Sequence, residues 1–443
     1  MAIKVGFISL GCNKNLCDTE NMIGILADDG FEITNDIECA DVCVINTCGF
    51  IDSAKEESIQ TILEAAEYKK DKCKLLVVCG CLAQRYSKEI ETDIPEVDVI
   101  IGTTAIDEIA EGIKKGLKKE KVSVIKDINL EISENLPRVL TTPQYTAYLK
   151  IAEGCDNRCT YCAIPYIRGK YRSRSIENII QEANNLAENG VREIIVVAQD
   201  TTRYGIDLYG EKKLSHLLTE LCKIEKLEWV RVHYCYPEEI DDNLIKTIKN
   251  ENKIVKYLDM PVQHGADSVL RRMGRHTDSE SMLMLINRLR EEIPDIVIRT
   301  SLIVGFPGET EEEFNSLLEF LNKAKFDRAG VFEFSCEEET PAAKLKNQID
   351  EDTKHTRYEI AMKLLQELSL KRNEAMVGKT VKVITEGFED NLYYGRSGGE
   401  SIEIDPKIYF GAHRDLDAGD FINVKIKSAE MYDLYGEEEE EEI

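Results

Sequence analysis

The 443-residue sequence predicts an α/β protein in three parts. These are an N-terminal parallel-sheet domain, a central incomplete barrel of six βα units, and a small C-terminal antiparallel β-barrel. Three observations predict this. Strand and helix patterns alternate over residues 1–118, six further strand–helix units follow over 147–376, and short strands with glycine turns fill 377–436. At about 150 residues per domain, the length allows two to four domains.

In the first part, residues 3–10 read as a buried strand and 18–29 as an amphipathic helix stopped by Gly30. Further strands are read at 42–46, 75–79 and 98–101, with helices at 54–68 and 107–119. Sheets of this kind hold ligands beyond the carboxyl ends of their strands. Residues 119–146 read as a linker, with an edge strand over 121–128 and a loop containing Pro137 and Pro143. The barrel strands are read at 147–152, 193–199, 229–234, 257–261, 296–304 and 330–335, separated by helices such as 176–189, 214–223 and 279–292. Barrels also carry their sites at the carboxyl ends of the strands. A long helix, 353–376, leads to the last part. Its strands are read at 380–385, 392–396, 402–404 and 421–427, with Ser397-Gly398-Gly399 as a hairpin turn. Residues 437–443, six glutamates and Ile443, read as a disordered acidic tail. Gly378-Lys379-Thr380 imitates the end of a phosphate-binding loop, but Asn373 stands where that loop needs glycine.

The chemistry lies in the cysteines. Cys155, Cys159 and Cys162 form a C-x3-C-x2-C run. Three thiolates this close can hold three irons of a cubane 4Fe-4S cluster, leaving the fourth iron open to a substrate or cofactor. Zinc wants four ligands, usually as two pairs, and no histidine stands nearby. Disulfides do not fit either, because no secretory leader is read at the N-terminus and no apolar run reaches transmembrane length. A cytoplasmic location with no membrane partner is expected, where 14 cysteines point to metal or redox work.

A second set is expected at one sheet edge. Cys12, Cys48 and Cys81 each follow a strand, and each has a glycine beside it (Gly11, Gly49 and Gly80) that admits close backbone approach to a bulky ligand. Cys39, Cys43, Cys73, Cys222, Cys235 and Cys336 read as small buried hydrophobes. Cys17 and Cys79 are ambiguous. Cys17 is treated as packing, and Cys79 is assigned to the opposite face from Cys81, the preferred ligand. The basic run of Arg168, Lys170, Arg172 and Arg174 is expected to face solvent. A net charge of -27 disfavours sequence-independent binding to nucleic acid and suits a basic partner.

The Cys155–Cys162 run, with Tyr161 before its last cysteine, resembles the signature of the radical S-adenosylmethionine (SAM) superfamily. There the open iron chelates SAM, and one electron splits the sulfonium to a 5'-deoxyadenosyl radical. The stretch from Leu302 to Glu309 is similar to the motif that packs along the SAM adenine, which implies cofactor contacts at Gly305 and Glu309. The whole chain resembles the radical SAM methylthiotransferases. Ser9-Leu10-Gly11-Cys12-Asn13-Lys14-Asn15, Asn46-Thr47-Cys48-Gly49-Phe50-Ile51 and Gly154-Cys155-Asp156-Asn157-Arg158-Cys159 look like the branch that modifies an aspartate of small-subunit ribosomal protein twelve.

This resemblance implies an auxiliary-cluster domain, a radical SAM domain and a TRAM domain. It implies two 4Fe-4S clusters, one on Cys12, Cys48 and Cys81 and the other on Cys155, Cys159 and Cys162. It also implies an electron donor such as flavodoxin or ferredoxin, and a monomer is expected. A related branch methylthiolates tRNA. The C-terminal part, Ala375–Ile443, carries 17 Asp or Glu against 7 Lys or Arg, which opposes phosphate binding and suits a basic ribosomal protein, so tRNA is the alternative substrate. The rival from another class is an iron–sulfur electron carrier, but carriers more often supply four ligands to each cluster.

Overall fold

The computed structural model describes residues 2–439. Strands β1 (Lys4–Ser9), β2 (Glu32–Thr34), β3 (Val42–Thr47), β4 (Leu75–Gly80), β5 (Val99–Ile101) and β6 (Val122–Val124) form one parallel sheet in the order β2-β1-β3-β4-β5-β6. β3 and β4 are buried along their whole length, as strands covered on both faces must be. Met22, Leu26, Ile109 and Ile113 cover one face, and Ile62, Ala65, Leu82 and Ile90 cover the other. The three-residue β2 is too short for its alternation to be read from sequence. Because β2 and β3 flank β1 on opposite sides, the chain reverses its winding between β1 and β3. Crevices at such switch points take ligands.

The second sheet contains β7 (Thr146–Lys150), β10 (Glu193–Val197), β11 (Trp229–Val232), β12 (Ile254–Asp259), β13 (Val297–Val304) and β14 (Arg328–Glu333). All six strands are parallel, in the order β14-β13-β12-β11-β10-β7, so the barrel stays open between β7 and β14. A two-residue ribbon, β8 (Ala152–Glu153) and β9 (Arg172–Ser173), braces the loop after β7. Helix residues Ile179, Leu217, Ile245, Ile286 and Leu317 pack on the convex face of the sheet.

Helix Glu351–Glu374 leads to a closed barrel of β15 (Thr380–Glu389), β16 (Leu392–Ser397), β17 (Ile408–Gly411), β18 (Phe421–Ala429) and β19 (Leu434–Glu438). Three expectations are corrected here. The β15–β16 hairpin turns at Asp390 and Asn391, both with positive φ, and not at Ser397-Gly398-Gly399. Residues 402–404 are not a strand. They belong to a loop that leaves the small barrel and enters the concave face of the six-stranded sheet, where Ile402 packs against Tyr148, Ile195 and Val197. Finally, β19 takes in Glu437 and Glu438, so the supposed tail begins inside the barrel, and Glu440–Glu442 lie outside the described residues.

That loop meets a buried polar lining. Glu193 accepts from Arg231 Nε at 2.9 Å and from Arg396 Nη2 at 2.5 Å. Arg231 also donates to the Gly398 carbonyl at 3.0 Å. His233 Nε2 lies 2.9 Å from the Ser401 hydroxyl, Tyr257 donates to Asp405 at 2.7 Å, and Arg328 donates to Glu400 at 2.8 Å. Part of the C-terminal acidity is therefore neutralised inside the molecule. Among the described residues, no helix is long and apolar enough to cross a membrane.

Candidate metal centre

The first three cysteines sit on turns that leave adjacent strands. β1 runs into Gly11, whose φ of +87° lets the chain turn tightly against Cys48. A Cβ at Gly11 would stand 2.8 Å from Cys48 Cβ. Cys12 then precedes helix Asn13–Asp28 and is exposed. Cys48 follows β3, beside the switch point. Gly80, with φ +91°, ends β4, and Cys81 opens helix Cys81–Arg85. This separates Cys79 from Cys81. Two positions apart on one straight strand they would share a face. The break at Gly80 turns Cys81 out at the sheet edge and leaves Cys79 in the core, its thiol 3.5 Å from the Ile45 carbonyl.

Burial pushes the Cys81 thiol up to about 11, against the pull of Arg168, and the neighbouring Cys12 and Cys48 raise it further. Burial also raises the Cys48 thiol. Cys17 is buried against Tyr148, Ile195 and Val197, as packing. Cys39 and Cys336 are exposed, and Cys222 is half-buried, which corrects their reading as buried hydrophobes.

The second set lies on the loop after β8. Cys155 N–H donates to the Gly169 carbonyl at 3.1 Å, and Thr160 ties the loop to Met273 and Arg272. Cys155 and Cys159 are buried and Cys162 is half-buried. Burial pushes the Cys155 thiol up to about 12 and raises Cys162, with Cys159 and Cys155 as its charged neighbours. Tyr161 packs against Phe306 and Phe334. Tyr236 places its hydroxyl 3.8 Å from the sulfur of Cys159, and a cavity of about 350 Å³ opens beside them, lined also by Asp156, Asn157 and Arg275. A larger cavity of about 660 Å³, between the linker and helix Ile176–Glu188, touches none of the six cysteines.

The two sets meet across the domain boundary. Ala163 and Ile167, directly after Cys162, pack on Cys81. Arg168, next in the chain, donates to Asp18 at 2.7 Å, to Glu153 at 3.1 Å, to Asn15 Oδ1 and to the Cys81 sulfur at 3.4 Å. Lys150 bonds the same Asp18 and Glu153. The basic run therefore does not face solvent as a unit: Arg168 and Arg174 are buried and only Lys170 is fully exposed. Sequence periodicity could not show this, because Arg168 pairs with Asp18, 150 positions back in the chain, and with Glu153 on the strand before the cysteine loop. Lys14 and Tyr234 were likewise invisible as site residues. The Lys14 ammonium lies 3.6 Å from the centre of the Tyr234 ring, and Asn13 Nδ2 lies 3.4 Å from the Tyr234 hydroxyl.

Gly305 and Glu309 end β13. Gly305 has a φ of +72° with Lys354 packed over it. The Glu309 carboxylate is fully enclosed, accepting from Phe306 N–H at 3.0 Å and Arg357 Nη1 at 3.2 Å. It braces the turn from within.

The donor sets fit cubane clusters. All six thiols are free, arranged as two separate threes. Among the described residues no three Cys, His, Asp or Glu side chains converge tightly enough for a single metal ion. A cubane spreads its thiolates over separate irons and needs no such convergence.

Three family models match in order: the uncharacterized protein family UPF0004 over residues 4–102, the radical SAM superfamily over 149–321 and the TRAM domain over 377–438. The chain is 53% identical over 438 residues to the ribosomal protein uS12 methylthiotransferase RimO of Desulforamulus reducens, covering 98% of this chain and 99% of that one. It is 50% identical over 437 residues to the RimO of Clostridioides difficile, covering 98% of each. Among solved structures, the radical SAM methyltransferase TsrM of Kitasatospora setae, with cobalamin and a [4Fe-4S] cluster bound, shares the fold. Its TM-score is 0.55 at 15% identity, over 77% of both chains. With about half of its residues identical to these relatives over nearly its whole length, the chain belongs to the RimO family of radical SAM methylthiotransferases.

Proposed function

We propose that this protein adds a methylthio group to the β-carbon of an aspartate in ribosomal protein uS12. The observation that carries the reading is the packing of Cys81 on the segment that directly follows Cys162. It brings two three-thiol sets to the shared boundary of two sheets, each beyond the carboxyl ends of its strands. We assign Cys155, Cys159 and Cys162 to a radical SAM cluster, and Cys12, Cys48 and Cys81 to an auxiliary cluster.

When bound, such clusters and SAM supply a radical that removes hydrogen from an unactivated carbon, together with the sulfur that is inserted. A side-chain base near neutral pH could not deprotonate that carbon. The protein's own residues do the rest. Arg168 sets a cation beside Cys81, which favours the thiolate a metal needs. Asp18 and Glu153, held by Lys150 and Arg168, lock the helix after Cys12 to the mouth of the barrel. Gly305 and Glu309 shape the end of β13, where the adenine side of SAM is proposed to rest. Ala163 and Ile167 keep water from the Cys81 side of the boundary.

The basic substrate suits a chain with a net charge of -27. A ribosomal substrate implies a cytoplasmic enzyme. We take the protein to act as a monomer, with flavodoxin or ferredoxin as electron donor. The test is anaerobic turnover of reconstituted enzyme with SAM and reductant, offered uS12 and tRNA side by side, followed by mass spectrometry. A methylthio gain on a uS12 aspartate alone is expected. A gain on tRNA alone would overturn the substrate.

A further inference from the structure

Three tyrosines line up on the outer face of the C-terminal barrel. Tyr394 of β16 stands opposite Tyr409 of β17, and Tyr409 opposite Tyr435 of β19, so strand register sets the rings side by side. The Tyr409 and Tyr435 rings stack 5.5 Å apart, and the Tyr394 ring follows at 6.2 Å from Tyr409. Tyr394 reaches across Gly387 of β15, where a Cβ would stand 2.5 Å from its hydroxyl oxygen. The barrel core does not use these rings. Ile408, Phe410, Val424 and Leu434 fill it from the alternate, inward positions. All three tyrosines stay half-exposed, whereas Ile384 of β15 and Phe421 of β18 carry the apolar contact with the central sheet.

The surroundings are acidic, and one cation already sits on the face. The Lys407 ammonium lies 3.8 Å from the centre of the Tyr394 ring and 3.5 Å from the Glu389 carboxylate. Burial raises the Tyr409 phenol, and Glu389 and Asp433 add to the rise. Burial raises Tyr435 as well, with Glu430 and Asp433 adding to it. Three carboxylates therefore meet one lysine. Among the described residues no cation lies over Tyr409 or Tyr435.

We propose that this tyrosine face docks arginine or lysine side chains of the basic substrate protein, apart from the aspartate that is modified. This rests on the reading of uS12 as substrate. A cation is attracted to the negative face of a phenol ring, and neighbouring carboxylates add to that attraction. Lys407 shows the placement an ammonium adopts here, and a planar guanidinium stacks on the same faces. Nucleobases also stack on tyrosine, but the phosphates of their strand would meet Glu389, Glu430 and Asp433. The partner is therefore a polypeptide.

The test is an anaerobic anisotropy titration of fluorescent uS12 with full-length, cluster-loaded enzyme. Tyr409→Leu combined with Tyr435→Leu keeps apolar bulk and removes the ring faces. This pair is expected to weaken binding roughly 5- to 30-fold, as for two cation–π contacts. Tyr409→Phe combined with Tyr435→Phe should keep most of the affinity. Wild-type affinity in the leucine pair, or an equal loss in the phenylalanine pair, overturns the proposal. Should the leucine pair fail to fold, Glu389→Gln combined with Glu430→Gln, both exposed, must weaken binding and flatten its salt dependence. Unchanged binding there overturns it instead. A single-stranded RNA oligonucleotide is titrated in parallel. If it binds more tightly than uS12 and loses affinity in the leucine pair, the face is a nucleic-acid platform and the proposal falls. If wild-type enzyme methylthiolates uS12 but the leucine pair binds it normally, only this proposal fails. If tRNA alone is methylthiolated, the functional reading fails and this proposal with it.

Discussion

The guanidinium of Arg168 lies 3.4 Å from the sulfur of Cys81, although 87 residues separate them and they belong to different domains. Arg168 stands six residues after Cys162, so its side chain ties the segment that follows one cysteine set to a cysteine of the other. Its charge is also set against Asp18 and Glu153, both buried. The contact is at once a domain lock and an electrostatic element of the auxiliary site.

Replacing Arg168 by Met should leave Asp18 and Glu153 sharing Lys150 alone. Breaking a buried charge network from one side costs about 3–5 kcal/mol. Denaturant titration of the variant should show a loss of that size, and turnover should fall as the two thiol sets lose their shared wall. An unchanged denaturation midpoint would mean that the network does not hold the domains.

The cysteine sets should separate functionally. Cys159→Ala is expected to abolish both SAM cleavage and methylthiolation, and Cys48→Ala to spare SAM cleavage while abolishing sulfur insertion. Deoxyadenosine release by chromatography and uS12 mass read the two steps independently. Sulfur transfer by the Cys48 variant would remove that residue from the auxiliary set.

The C-terminal barrel should depend on Glu193. Burial would push its carboxyl up, but Arg396 and Arg231 outweigh it and hold it down at about 2. The stability this contributes is present above the ordinary carboxylate pKa of about 4.3 and is lost as pH falls from there toward 2. Glu193→Ala, which strands two buried arginines, should cost about 3–5 kcal/mol near neutral pH and flatten the acid limb of the stability curve. Melting temperatures across pH 7 to 3 would show both effects.

His233 should add a slope at milder pH. Burial pushes its pKa down to about 3, so it stays neutral against Ser401 in the folded protein. The unfolded chain takes up this proton below a pKa of about 6.5, so stability should fall as pH drops through that value, by about 2 kcal/mol at pH 5. His233→Gln should remove that slope between pH 7.5 and 5. A slope of equal size in the variant would assign it to other groups.

Local pattern along the chain specifies the elements and the ligand types. Apolar runs such as 42–47 and 75–80 are long and uniform because both of their faces are covered, so strands and sheet class were legible. Cys155, Cys159 and Cys162 lie within one loop, and their spacing alone defines a triad. Cys12, Cys48 and Cys81 could be placed at one edge because parallel strands end on the same side of a sheet.

Which charges are buried and what the loops do depend on how distant segments pack. Arg168 looked like part of a solvated basic run, since its partners Asn15, Asp18 and Glu153 come from other segments. Ser397-Gly398-Gly399 has hairpin composition, yet Arg231 and Glu193 of a different domain draw that loop into the barrel's concave face. The short β17 and β19 are set by closure of the small barrel around Phe410, Val424 and Leu434. Local pattern encodes what a segment can bury, whereas long-range ion pairs and barrel closure depend on which segments meet, and that is settled only when the whole chain packs.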